Sequence, residues 1–206
     1  AKQLTAIRLE ALPRDLEAAL KTSELGFVLS RLRAFVEVPG EGASEGQDPR
    51  EIFFSDAFCD DPQPTLDPAG SLKDGGYGWG AYPRLDRPRW GVFVLRDPFD
   101  LPAGARLRLE LKQGLATVGS WALVIQRGRV AMSSDPRWTE LVTSKEWKAR
   151  REELADLADQ RQELSETRVP VMMEQDPSFE RETHLFERGN WLDKGERVEP
   201  GVPEVF

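Results

Sequence analysis

The side chains best suited to chemistry crowd between residues 56 and 90. Tyr77, Trp79, Tyr82 and Trp90 are interleaved there with Arg84, Arg87 and Arg89. Aromatic rings offer a flat apolar body to the C–H faces of sugars, while arginine and aspartate pair with hydroxyls. Tyr77, Trp79, Tyr82, Arg84, Arg89 and Trp90 are therefore the candidate ligand-binding residues. The same residues also have a structural use, with Trp79 and Trp90 plugging a core and Arg84 and Arg89 as surface cations. A second group, Asp56, Asp60, Asp61, Asp67 and Asp74, can supply oxygens to calcium, which takes roughly six to eight of them. Asp60, Asp61, Asp67 and Asp74 are the candidate metal ligands. No EF-hand spacing is present, and aspartates beside prolines also occur simply as turn residues.

Nucleophilic chemistry has little support. Cys59 and His184 are the single cysteine and the single histidine, and they lie far apart in the chain. Cys59 reads as a small, half-buried thiol. His184 lies in Thr183-His184-Leu185-Phe186, a short strand pattern, and reads as a packed, hydrogen-bonded ring. No glycine-rich phosphate loop, serine triad motif or metalloprotease motif occurs. The sequence therefore predicts no enzyme active site. One cysteine excludes a disulfide framework, a multi-cysteine zinc site and a C-x-x-C-H haem attachment. The net charge of −8 argues against nucleic acid as a main partner. No apolar run approaches the roughly 18 residues of a membrane-spanning helix. With 39% hydrophobic residues among 206, the chain has enough apolar side chains for one sizeable core.

The elements that would position these residues are mostly strands. Leu4 to Leu12 alternates, with Ile7, Leu9 and Ala11 on one face and Arg8 and Glu10 on the other, the pattern of a half-buried strand. Phe27 to Val38 alternates again, with Val28, Leu32, Ala34, Val36 and Val38 on one face. Residues 51–58, 90–95, 106–111 and 120–126 read as further strands, with Leu107, Leu109 and Leu111 pointing inward. Residues 39–50 and 60–89 are rich in Gly, Pro and Asp and read as loops. Short strands and turns over residues 1–132 predict an all-β sandwich or jelly roll.

Residues 133–168 predict a helical appendage. Asp135-Pro136 is a helix start, and Thr143 with Glu146 has capping-box spacing. Trp147, Leu154, Leu157 and Leu164 form a stripe from Ser144 to Glu166, predicting an amphipathic helix that docks by one face before Pro170. Residues 169–206 read as an extended tail. Its anchors, Val169, Val171, Met172, Leu185, Phe186, Trp191 and Leu192, would hold it against the sandwich or the helix. The chain starts at Ala1 without Met or a basic-then-apolar leader, and reads as a segment of a longer polypeptide.

Three groups of segments carry a resemblance: TAIRLEALP (5–13) with FVLSRLRAF (27–35); LKDGGYGWGAYPRLDRPRWGVFVL (72–95) with ARLRLELKQ (105–113) and TVGSWALVI (117–125); and PVMME (170–174) with RETHLFERGNWLDKGERVEPGVP (181–203). Together they resemble the region joining two conserved domains of unknown function in large planctomycete-type cytochrome c proteins. The resemblance implies an extracytoplasmic parent protein, in the periplasm or at the cell surface. Haem c would belong to the parent and not to this chain, whose neighbouring domains would be partners. The Asp74-Gly75 turn followed by Trp79 is also similar to galactose-binding-like discoidin modules, which implies a jelly-roll sandwich with sugars or cell-surface ligands at the loops of one end. The function expected is a non-catalytic carbohydrate-binding module, for a polysaccharide or other glycan. The alternative is a scaffold that spaces or docks neighbouring domains.

Overall fold

The computed structural model describes residues 3–21, 24–37, 49–63, 65–75, 77–113, 123–163, 182–189 and 193–199. Most of them form antiparallel sheets stacked as a sandwich. The first sheet has the order β5-β7-β1-β9, built from β1 (Gln3–Ala11), β5 (Phe54–Cys59), β7 (Arg89–Asp100) and β9 (Gly128–Ser133). Ile7 faces Phe93 on one side and Met132 on the other. The opposing layer holds β3 (Arg31–Glu37) between β4 (Arg50–Ile52) and β8 (Arg106–Lys112), with β2 (Glu24–Val28) paired to β6 (Gly80–Leu85).

The core fills the gap between these layers. Ile7, Leu9, Phe93 and Leu95 come from one side, and Phe27, Leu32, Ala34 and Val36 from the other. Every second residue of β1 and β3 points inward, in the phase the sequence alternation predicts, but Val28 does not share that face: Phe27 and Leu29 enter this core while Val28 packs with Leu66 and Leu123, and Leu111 of β8, expected inward, is exposed. Phe27 to Val38 is not one strand, however. It breaks at Leu29 and Ser30, where Leu29 N–H donates to the Trp79 carbonyl (2.7 Å) and Ser30 N–H to the Lys112 carbonyl (2.8 Å). The backbone there changes neighbours, from β6 to β4 and β8. Residues 51–58 likewise divide at Phe53 into β4 and β5.

β1 is buried on both faces rather than one. Its second face lies under helices. α1 (Arg137–Thr143) and the start of α2 (Lys145–Glu163) bring Val142, Trp138 and Trp147 onto Ala6, Val92, Val94, Phe58 and Trp90. Glu10, buried on this face, pairs with Arg8 (2.9 Å) and Arg129. Thr5 Oγ1 donates to the Ser133 and Asp135 carbonyls at 3.1 and 2.9 Å, tying β1 to the approach to α1.

Helix capping differs by one residue from the sequence expectation. Ser144 caps α2, accepting the Trp147 N–H on Oγ at 3.1 Å. Thr143 is still inside α1, and its hydroxyl donates back to the Thr139 carbonyl (2.8 Å). Of the expected helical stripe, Trp147 is half-buried, while Leu154 and Leu157 are exposed. α2 therefore docks by its first turns and not along its length. Leu164 and Pro170 lie outside the described residues.

Three strands, β6, β9 and one in the tail, lie where none is expected, and the described part of the expected 120–126 strand is not one. β6 lies within the Gly- and Pro-rich tract, and β9 follows the 120–126 segment. Residues 123–125 are not a strand, although the Leu123 carbonyl accepts the Val28 N–H (3.1 Å). Within the tail, β10 (Thr183–Phe186) and β11 (Lys194–Val198) form an antiparallel pair, so this part is a hairpin and not merely extended. Leu185 and Phe186 are exposed in it. Val169, Val171, Met172, Trp191 and Leu192 fall outside the described residues.

The outward face of β3 and β8 is a charged ladder. Arg33 donates to both oxygens of Glu51 (2.8 and 2.9 Å), and this hydrogen bonding holds the Glu51 carboxyl below its ordinary value. Phe35 lies beneath the guanidinium groups of Arg33 (4.7 Å) and Arg108 (4.6 Å), which explains how an outward phenylalanine is buried.

Candidate functional site

The candidate aromatic residues divide into an interior set and a surface set. Trp79 is fully buried. Its ring meets Phe27 edge-on at 4.8 Å and Phe93 at 6.3 Å. A Cβ on Gly91 would lie 3.0 Å from the indole, so any side chain there would press on the ring. Ser71 holds the backbone in place: its hydroxyl donates to the Leu29 carbonyl (2.7 Å) and accepts the Trp79 N–H (2.8 Å). Gly78 is fixed by the same contact, since a Cβ there would lie 2.1 Å from the Ser71 hydroxyl. Of the two uses open to Trp79 in the sequence, the fold employs the core plug.

Arg89 is also interior. It is buried, and its Nε donates to Asp60 (2.9 Å) while Nη2 donates to the Asp61 carbonyl (2.5 Å). Asp60 further accepts the Trp90 N–H (3.3 Å). Trp90 is half-buried on the opposite face of the sheet, with Arg8 over its ring at 5.2 Å. The strand period explains the split, because neighbouring residues of β7 point to opposite faces.

Tyr77 and Tyr82 remain at the surface, 59% and 51% exposed. Tyr82 sits on β6 with its backbone clamped by one side chain. Gln63 Nε2 donates to the Tyr82 carbonyl (2.8 Å), and Gln63 Oε1 accepts the Tyr82 N–H (3.0 Å). The amide thus takes the place of a neighbouring strand, and the ring is displayed from a rigid backbone. Arg84 follows on the same strand, half-buried. Arg87 is more exposed and pairs with Asp61 at 2.7 Å. Gln63 and Ser71 position this region, and their types carried no signal in the sequence. A glutamine between two prolines reads as a loop residue.

The aspartates do not converge. Asp60 is engaged by Arg89, Asp61 by Arg87, and Asp67 by the Ala69 N–H (3.0 Å) and Arg151 (3.6 Å). Asp74 is 89% exposed and lies 3.7 Å from Arg31. Among the described residues no three of His, Cys, Asp and Glu form a group that could hold a metal ion. The charges of Asp60, Asp61 and Asp67 are met by arginines, Arg89 reaching both Asp60 and Asp61.

Asp56 has a different task. Buried on β5, it accepts Trp147 Nε1–H at 2.6 Å and the Ala57 N–H at 2.8 Å, with Arg151 at 3.4 Å. This carboxylate latches α2 to the sandwich. His184 is hydrogen-bonded within its hairpin, Nδ1 to the Gly195 carbonyl at 3.0 Å.

Burial pushes the Cys59 thiol above its ordinary value, with the Asp60 charge adding to the shift. A raised value keeps the group as the neutral thiol at neutral pH, and the thiolate is the reactive form. Iodoacetamide at about pH 8 should therefore modify Cys59 more slowly in the native protein than in urea. The native rate should rise only as the pH passes beyond the ordinary thiol range. Equal rates in the two states would show that the thiol is not protected. No protein-family model matches the chain, and neither does any curated protein or solved structure.

Proposed function

We propose that the chain is a non-catalytic carbohydrate-binding module, of galactose-binding-like jelly-roll type. It would belong to a large extracytoplasmic, cytochrome-c-linked protein. The observation that carries the carbohydrate reading is the pair of exposed rings, Tyr77 and Tyr82, with half-buried Arg84 two residues from Tyr82. An exposed aromatic costs little ordering when its backbone is already clamped, so a sugar stacked on Tyr82 loses less to entropy. The extracytoplasmic parent rests on the resemblance carried by residues 170–174 and 181–203. Neighbouring domains of that parent are the other partners proposed.

A second reading, a scaffold that spaces or docks those domains, is favoured by the interior positions of Trp79 and Arg89. One experiment separates the two. On polysaccharide affinity gels the wild-type chain should be retarded, and Tyr82→Ala or Tyr77→Ala should remove the retardation. Both variants should melt with the wild type, since exposed positions change stability by only about 0.5 kcal/mol. A wild-type chain that ignores every polysaccharide tried leaves the scaffold.

A further inference from the structure

The strand edges of this fold are unequally protected. An unpaired edge presents a row of N–H and C=O groups to any passing strand, and proteins blunt such edges with charge, proline, bulges or cover. β4 is only three residues long and follows Pro49. β5 carries a bulge between Phe54 and Asp56 and packs against the Pro68–Leu72 turn. β6 is capped by Gln63. β8 displays Arg106, Arg108 and Lys112.

β9 has none of these devices among the described residues. It ends the first sheet, its register with β1 is unbroken from Gly128 to Ser133, and it contains no proline or lysine. Its one charge, Arg129, is turned to buried Glu10, with Nε at 2.7 Å, a carboxylate it shares with Arg8. Val130 stands opposite Leu9 and Met132 opposite Ile7. Cross-strand partners share a face, so Val130 and Met132 continue the core face beyond the core. They are nevertheless 52% and 60% exposed.

The strand is complementary to itself. We propose that β9 pairs antiparallel with β9 of a second copy, about a two-fold axis at Ala131, joining two four-stranded sheets into one. In that register Val130 meets Met132 of the second copy, twice by symmetry. Arg129 meets Ser133 of the second copy, so no like charges oppose each other. Both apolar side chains on the exposed core face gain an apolar partner, and the free backbone edge is paired.

Sedimentation equilibrium of the wild-type chain from micromolar to millimolar concentration tests this, and should show a reversible monomer–dimer equilibrium. Val130→Lys sets an ammonium against a thioether at two symmetric places and should raise the dimer Kd by at least about tenfold. Combining Val130→Lys with Met132→Glu places opposite charges across the axis and should recover most of that loss. Both positions are exposed, so thermal melting should confirm that the variants fold. A wild-type chain that stays monomeric throughout overturns the proposal, as does a dimer indifferent to Val130→Lys. A double variant that dimerises no better than the single one overturns the register.

Discussion

Trp79→Ala should lower folding stability by about 3–5 kcal/mol, the range for emptying a buried aromatic site. The ring touches both layers, meeting Phe27 from one sheet and Phe93 from the other, so the cavity opens where the sheets are joined. Collapse is hindered because the Ser71 hydroxyl and Gly78 fix the backbone on either side. Domains of this size hold roughly 5–15 kcal/mol in total, so a large share would go with one side chain. Urea denaturation should show the midpoint falling. Trp79→Phe should cost distinctly less, because the indole N–H is buried without a hydrogen-bond partner and its removal strands nothing. An alanine variant as stable as the wild type would show that the ring is not a core member.

Arg89→Ala should be of similar size, about 3–5 kcal/mol, for an electrostatic reason. Arg89 is buried, and its removal leaves Asp60 largely desolvated without its cation and the Asp61 carbonyl without its donor. The neighbouring exposed pair gives the control. Arg87→Ala removes a bond of 2.7 Å to Asp61 but should cost no more than about 1 kcal/mol, since water replaces the cation. Replacing Asp60 together with Arg89 by apolar residues should return part of the loss, because no charge is then buried alone. Denaturation of the three variants side by side checks the order. Equal costs for Arg87→Ala and Arg89→Ala would contradict the burial of Arg89.

The strands that line the core were the legible part. Ile7, Leu9, Leu32, Ala34 and Val36 alternate because one face of each strand must be apolar. β9 was not legible, since an edge strand with both faces wet has no reason to alternate strongly. β6 was hidden by Gly80, by the glycines before it and by Pro83. The outer helical layer could be foreseen as helix but not as cover, because β1 buries Glu10 on that side, and it reads as facing outward. The site was half legible. Aromatic type marked the right segment, but a tryptophan flanked by glycines reads equally well as exposed loop or core plug. Only the fold tells Trp79 from Tyr82.

The position of β1 has a consequence in time. The first strand of the chain lies inside the first sheet, between β7 and β9, and Ala6 faces Val94 on one side and Ser133 on the other. Its partners are remote in sequence, so closing each contact costs loop entropy before any burial repays it. Topologies dominated by such distant pairings fold in roughly milliseconds to seconds, not microseconds. During synthesis, β1 must remain unpaired on its β9 side until residue 133 has left the ribosome. Until then one edge of this apolar strand lacks its native partner, and the interval before β9 arrives leaves that edge open to aggregation.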